Sequence, residues 1–152
     1  MVSQRVLIID DEIETRKALK SELAQADFLC VDCESGADAI QEFLDAKKKD
    51  MGFDFLIMDP FLSDIDGLNL CKFFLRKYPE VPLILCPKFD ICINRQPDIV
   101  CMGKPLDFPS VIKILHEKKG QKKTLSTKRH MPKKADIPFL NYLLIQIKAQ
   151  EK

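Results

Sequence analysis

Four residues far apart in the chain carry the side chains best able to do chemistry together. Asp10 and Asp11 close one apolar run, Asp59 closes a second, and Lys104, followed by Pro105, comes after a fifth. A carboxylate attacks phosphorus poorly, because anion meets anion, unless the incoming charge is neutralised. Magnesium meets that need through oxygen ligands, typically one or two carboxylates together with phosphate oxygens. If the apolar runs are parallel strands of one sheet, their carboxyl ends converge. Three carboxylates and one ammonium then share a single crevice, the composition of a magnesium-dependent phosphoacceptor site.

The elements that must position these groups are legible as an alternation. Apolar runs at residues 6–9, 28–31, 55–58, 83–86 and 99–102 are short and mostly continuous, as strands buried on both faces should be. Between them, Leu19, Leu23 and Ala26 recur at helical spacing, as do Ala37, Ile40 and Phe43 or Leu44, and again Leu68, Cys71, Leu75 and Tyr78. Strands alternating with helices predict right-handed crossovers and a doubly wound five-stranded parallel sheet, flavodoxin-like with order 2-1-3-4-5. Asp107 and Pro109 mark a helix start, and Gly120 follows the basic pair Lys118 and Lys119, so a last helix is predicted over about residues 108–119. Pro87, Asn94 and Pro97 leave room only for a short or missing fourth helix.

With Asp66-Gly67 at the turn after Asp59, the joint pattern resembles the receiver domain of two-component response regulators, the CheY-like superfamily, over about residues 4–119. The resemblance implies a role for each matching residue. Asp59 would be the nucleophile and phosphoacceptor, with Mg2+ as cofactor. Asp11 would bind the ion directly, Asp10 mainly through water, and the backbone carbonyl of Phe61 would supply a further oxygen. Lys104 would pair with the phosphoryl group, and the Lys104-Pro105 bond would be cis, an isomer that costs only about 0.5–1 kcal/mol before proline. The implied donor is a histidine kinase or histidine phosphotransfer protein, and the implied output is contact with a downstream protein. Such a domain is a phosphoacceptor and not an enzyme, beyond self-catalysed phosphotransfer and dephosphorylation.

The chain departs from the family at its switch. Where receivers carry Thr or Ser at the end of the fourth strand, this sequence offers Pro87 or, with a one-residue slip, Cys86. Neither has a hydroxyl, although the backbone N–H of Lys88 can still hold a phosphate oxygen. The aromatic switch residue, three before the lysine, is Cys101, and Ser63 stands where a proline is usual. Either phosphorylation is transmitted by another route, which is the favoured reading, or the domain is a phosphorylation-independent adaptor.

Composition sets the remaining bounds. At 152 residues, 46% apolar and 31% charged, the chain reads as one soluble domain with an appendage. It shows no signal layout and no apolar run near the ~18 residues of a membrane span, so a cytoplasmic setting is expected. Six cysteines lie mostly in apolar segments and are expected to be free, buried thiols, with Cys30 and Cys33 on opposite faces of a strand rather than forming a redox or metal pair. Residues 120–152 hold eight basic and two acidic side chains, a net of +6, against 16 basic and 21 acidic before them, a net of −5. The expected organisation is a receiver over 1–119, a basic linker over 120–136, and over 137–152 an amphipathic helix or the start of a missing output region. The last segment would dock on the receiver or form a homodimer. The basic run 118–134 gives a less favoured route to nucleic acid, since no helix-turn-helix pattern follows it.

Overall fold

The computed structural model describes residues 2–88 and 99–121. Five strands and four helices alternate in the order β1 (Arg5–Ile9), α1 (Ile13–Gln25), β2 (Leu29–Cys33), α2 (Gly36–Lys48), β3 (Phe55–Met58), α3 (Gly67–Lys77), β4 (Leu83–Leu85), β5 (Ile99–Cys101) and α4 (Phe108–Gln121). The strands form one sheet, all parallel, in the order β2-β1-β3-β4-β5. The predicted doubly wound, flavodoxin-like architecture is the one observed. The segment predicted to hold a shortened fourth helix falls largely in 89–98, and the linker and C-terminal helix fall beyond 121, so both lie outside the described residues, as do Phe89 and Cys92.

Side chains alternate across the central strands and build a core on each face. Leu7, Ile9, Leu56, Met58, Leu83 and Leu85 face one core with Phe43, Phe53 and Phe74. Val6, Ile8, Phe55, Ile57, Ile84 and Cys86 face the other, where Leu19, Leu23, Val111 and Leu115 close over them. The edge strands depart from the expectation of full burial, because each has a neighbour on one side only. Leu29 in β2 is 54% exposed, and β5 ends on exposed Cys101.

Several sequence-based details are corrected. The second strand covers Leu29–Cys33, one to two residues later than predicted, because Asp27, in the left-handed region at φ 66, and Phe28, whose N–H donates to Leu23, still belong to the end of α1. The last helix runs through Gly120 to Gln121. Asp107 does sit at its start, accepting from the Ser110 hydroxyl. Not all thiols are buried: Cys30 is half-buried and Cys101 exposed. Cys33 and Cys30 do pack on opposite cores. Burial pushes Cys30 up to about 11 and Cys33 and Cys86 up to about 12, so these free thiols stay protonated at neutral pH and behave as small apolar side chains.

Two loops at the carboxyl edge are pinned by short-range chemistry. Asp64, in the loop after β3, accepts the first free N–H groups of α2 from Gly36 at 2.9 Å and Ala37 at 3.1 Å, while the Ser35 hydroxyl accepts from Asp38. The Gly36 bond is the leading reason that the Asp64 carboxyl is held below its usual value. Asp66 caps α3 by accepting from Leu68 at 2.9 Å. Gly67 then passes so close to the loop that a Cβ there would lie 2.0 Å from the Pro60 carbonyl oxygen. Only glycine fits. The Lys104-Pro105 peptide is cis, as the resemblance implied.

Candidate functional site

Backbone bonds continue past the ends of the strands and line up the residues that follow. The N–H of Asp10 donates to Cys33 at 3.1 Å, that of Asp59 to Ile9 at 2.9 Å, and that of Cys86 to Met58 at 2.8 Å. Asp10 and Asp59 are therefore delivered side by side at the carboxyl edge, beside the point where the chain order reverses across β1 and β3. Both are almost fully buried, at 2% and 1% exposed.

Lys104 enters from the segment after β5 and bridges them. Its Nζ lies 2.7 Å from Asp10 Oδ2 and 2.9 Å from Asp59 Oδ2, with Glu12 Oε1 at 3.6 Å. Burial alone would lower the lysine pKa, but the bonds from Nζ to both carboxylates outweigh it and raise the value, so the group is an ammonium. Burial is the larger influence on Asp10 and raises its pKa against the opposing pull of Lys104. The other oxygen of each acid is held by backbone: Asp10 Oδ1 accepts the Glu12 N–H at 2.8 Å, and Asp59 Oδ1 accepts the Phe61 N–H at 2.8 Å. These bonds fix the rotation of both carboxylates.

Asp11 stands at the rim, half-buried, and Glu12 is exposed. Oxygens of Asp10, Asp11, Glu12 and Asp59 all lie within 4.8 Å of one another. The donor set is purely carboxylate oxygen, hard and anionic, which suits magnesium or calcium and not a thiolate-seeking metal. Predicted residues Asp10, Asp11, Asp59 and Lys104 are thus brought together. The switch positions are not equivalent among themselves: Cys86 is 1% exposed in the core under β4, Pro87 is buried, and Cys101 is exposed on the edge strand. Phe61 is 38% exposed.

Three participants escaped the sequence reading. Glu12 extends the Asp10-Asp11 run, and that acidic triplet was its signal. Lys88 was noted for its backbone N–H, yet its side chain reaches Asp11 Oδ1 at 2.5 Å and Glu12 Oε1 at 3.7 Å. Arg16 is buried, donates to the Asp10 carbonyl oxygen at 2.8 Å and to Asp32 at 3.0 Å, and so ties the turn after β1 to β2. Its signal was an arginine in the same helical stripe as Leu19 and Leu23.

Residues 6–95 match the family model described as response regulator receiver domain. The match stops short of Lys104, whose Nζ bonds to Asp10 and Asp59 bring it to the site the sequence assigned it. Among curated proteins, the chain is 32% identical over 82 residues to the probable transcriptional regulator ycf27 of Guillardia theta, covering 54% of this chain and 30% of that protein. It is 26% identical over 81 residues to the transcriptional regulatory protein ResD of Bacillus subtilis, covering 53% and 31%. The matched segment thus spans about a third of these relatives' length. Among solved structures, a CheY-like receiver domain from Methanospirillum hungatei superposes with a TM-score of 0.68 at 16% identity, covering 82% of this chain and all of the other. The response regulator TrrA, solved in complex with the histidine kinase ThkA, gives 0.64 at 22% identity, covering 75% and 97%. Among the described residues, no helix is long and apolar enough to cross a membrane.

Proposed function

This chain belongs to the response regulator receiver domain family, and from that premise we propose that it accepts a phosphoryl group on Asp59 from a histidine kinase or histidine phosphotransfer protein and passes the signal on through protein contacts. One observation carries the reading. The Asp59 carboxylate sits 2.9 Å from the Lys104 ammonium with three further acids close enough to share a cation. Asp10, Asp11 and Asp59, with the Phe61 carbonyl, would hold Mg2+, which when bound supplies positive charge against the phosphoryl oxygens.

The chain's own groups divide the remaining work. An Asp59 oxygen attacks phosphorus, the bond from phosphorus to the donor imidazole nitrogen breaks, and the imidazole keeps the electron pair and takes a proton. An acyl phosphate is left on Asp59. The Phe61 N–H orients the attacking carboxylate. Lys104 is within reach of both the acceptor and its neighbour Asp10, so it can shift its bond from Asp59 to the new phosphoryl oxygens without leaving the pocket.

Intact mass after incubation with acetyl phosphate and Mg2+ tests this reading. The full chain is expected to gain one phosphoryl group and Asp59→Asn none. No gain in the wild-type chain, or equal gain in the variant, removes the proposal.

A second reading is favoured by the switch positions. Cys86 and Cys101 lack a hydroxyl and a ring, and Cys86 is packed into a core. A domain that binds its partner regardless of phosphorylation fits those residues, and it predicts partner affinity unchanged between wild type and Asp59→Asn. The basic run 118–134 would offer a contact to nucleic acid and the segment 137–152 a contact to a second copy; beyond residue 121 both lie outside the described residues.

A further inference from the structure

The pocket holds two ammonium groups, and they are not placed alike. Lys104 belongs to the floor: its side chain is 13% exposed and its partners Asp10 and Asp59 are 3% and 0% exposed at their side chains. Lys88 belongs to the rim. It and its partner Asp11 each have 25% of the side chain exposed, and the second contact, Glu12, is 43% exposed. Lys88 follows β4 by three residues and crosses the mouth of the site to reach the loop after β1.

From this geometry we infer that the Lys88 side chain is a built-in competitor for the divalent cation, holding Asp11 until the ion displaces it. The inference rests on the phosphoacceptor reading and assigns it a regulated step. An oxygen 2.5 Å from an ammonium proton donor is committed to that bond and cannot at the same time take an inner position on a metal. Lys104 cannot perform the same duty at the rim, because its two short bonds are to the buried pair and its contact with Glu12 is the long one at 3.6 Å. Lys88 is suited to yielding. Its stem is long and flexible, its partners are partly solvated, and the ion pair it gives up is of the weak, partly exposed kind. Cation binding at Asp11 is therefore opposed by the Lys88 ammonium, which must give up Oδ1 or share the carboxylate's charge with the ion. The Lys88 side chain then reports whether the pocket is loaded, in a chain whose position at that strand end carries no hydroxyl.

Calorimetric titration of the full chain with MgCl2, without any phosphodonor, tests the competition. Lys88→Ala is expected to bind Mg2+ about fivefold more tightly than wild type, the size of a partly exposed ion pair that no longer has to be broken. Lys88→Gln, which keeps the stem and loses the charge, should move the same way. Asp11→Asn should lose most of the binding. Equal affinity in wild type and both Lys88 variants, with Asp11→Asn impaired, overturns the competition while leaving the phosphoacceptor reading in place. Absence of Mg2+ binding in every variant overturns both.

Discussion

Asp10 and Asp32 each face neighbouring cations, yet burial outweighs them at Asp10 and not at Asp32, so the two should respond to pH in opposite directions. For Asp10 burial wins and its pKa is raised, so the charge is disfavoured by folding. The stability attached to that group is complete below its unfolded value and declines as pH rises through the folded one. Asp10→Asn should therefore stabilise the domain at neutral pH, and the gain should vanish in acid. For Asp32 burial also raises the pKa, but the bonds from Lys20 and Arg16 outweigh it and the value is lowered. Its contribution is present above 3.8 and is lost as pH falls through the folded value. Asp32→Asn should cost about 0.5–1 kcal/mol at neutral pH, modest because the side chain is 27% exposed, and should approach zero difference in acid. Urea denaturation at the two pH values checks both, and the same sign for both variants would contradict the assignment. The candidate site was legible because Asp10, Asp11, Asp59 and Lys104 each close or follow an apolar run. Lys88 was not, since a lysine past a strand end reads as a solvated side chain, and spacing does not reveal where a four-carbon stem will reach.

Helices and loops set how accurately the carboxylates are held, and here small residues decide. The helical stripes were phased imperfectly from sequence. The second helix buries Phe43 as expected, together with Gly36, Ala39 and Ala46, while Ile40 packs at the flank, Leu44 is half-buried and Ala37 is exposed; the third buries Leu70, Cys71 and Phe74 with Leu68, Leu75 and Tyr78 at the flank. Large rings anchor the buried face: Phe43 and Phe74 lie 5.0 Å apart between centroids. Ala37 is as apolar as Ala39, so periodicity alone could not choose between them. Gly67 shows the consequence for the site. Its missing side chain lets the start of α3 touch the Pro60 carbonyl, one residue after Asp59 and one before Phe61. Gly67→Ala should cost about 3 kcal/mol, at the upper end for overpacking because backbone and not a flexible side chain must give way. It should also slow phosphorylation by acetyl phosphate, since moving Pro60 moves the N–H that orients Asp59. A thermal midpoint within a degree or so of wild type would show that the loop has more freedom than this contact allows.

The molecule as a whole is one sheet with two cores, and its strand order was readable because parallel crossovers leave few choices once strands and helices alternate. The exposure of β2 and β5 was not readable, because a run such as Cys30-Val31 is equally apolar at an edge or in the middle. Both cores rest on β1, β3 and β4, whose residues alternate between them, so neither can loosen without removing backing from the other. Tyr78 gives a probe of one face: its ring packs 4.5 Å from Phe43, among the aromatics. Leu115 is fully buried on the opposite face with Leu19, Leu23 and Val111. Leu115→Ala leaves a cavity there and should cost about 2–5 kcal/mol, a large share of the 5–15 kcal/mol typical of a domain. If the shared sheet couples the faces, the near-ultraviolet signal of Tyr78, read in a Tyr142→Phe background, should melt at the same lowered midpoint as the far-ultraviolet helix signal. A Tyr78 transition that stays at the wild-type midpoint while the helix signal falls earlier would mean that the two layers unfold separately. The carboxyl edge that brings Asp10, Asp59 and Lys104 together would then rest on the aromatic face alone.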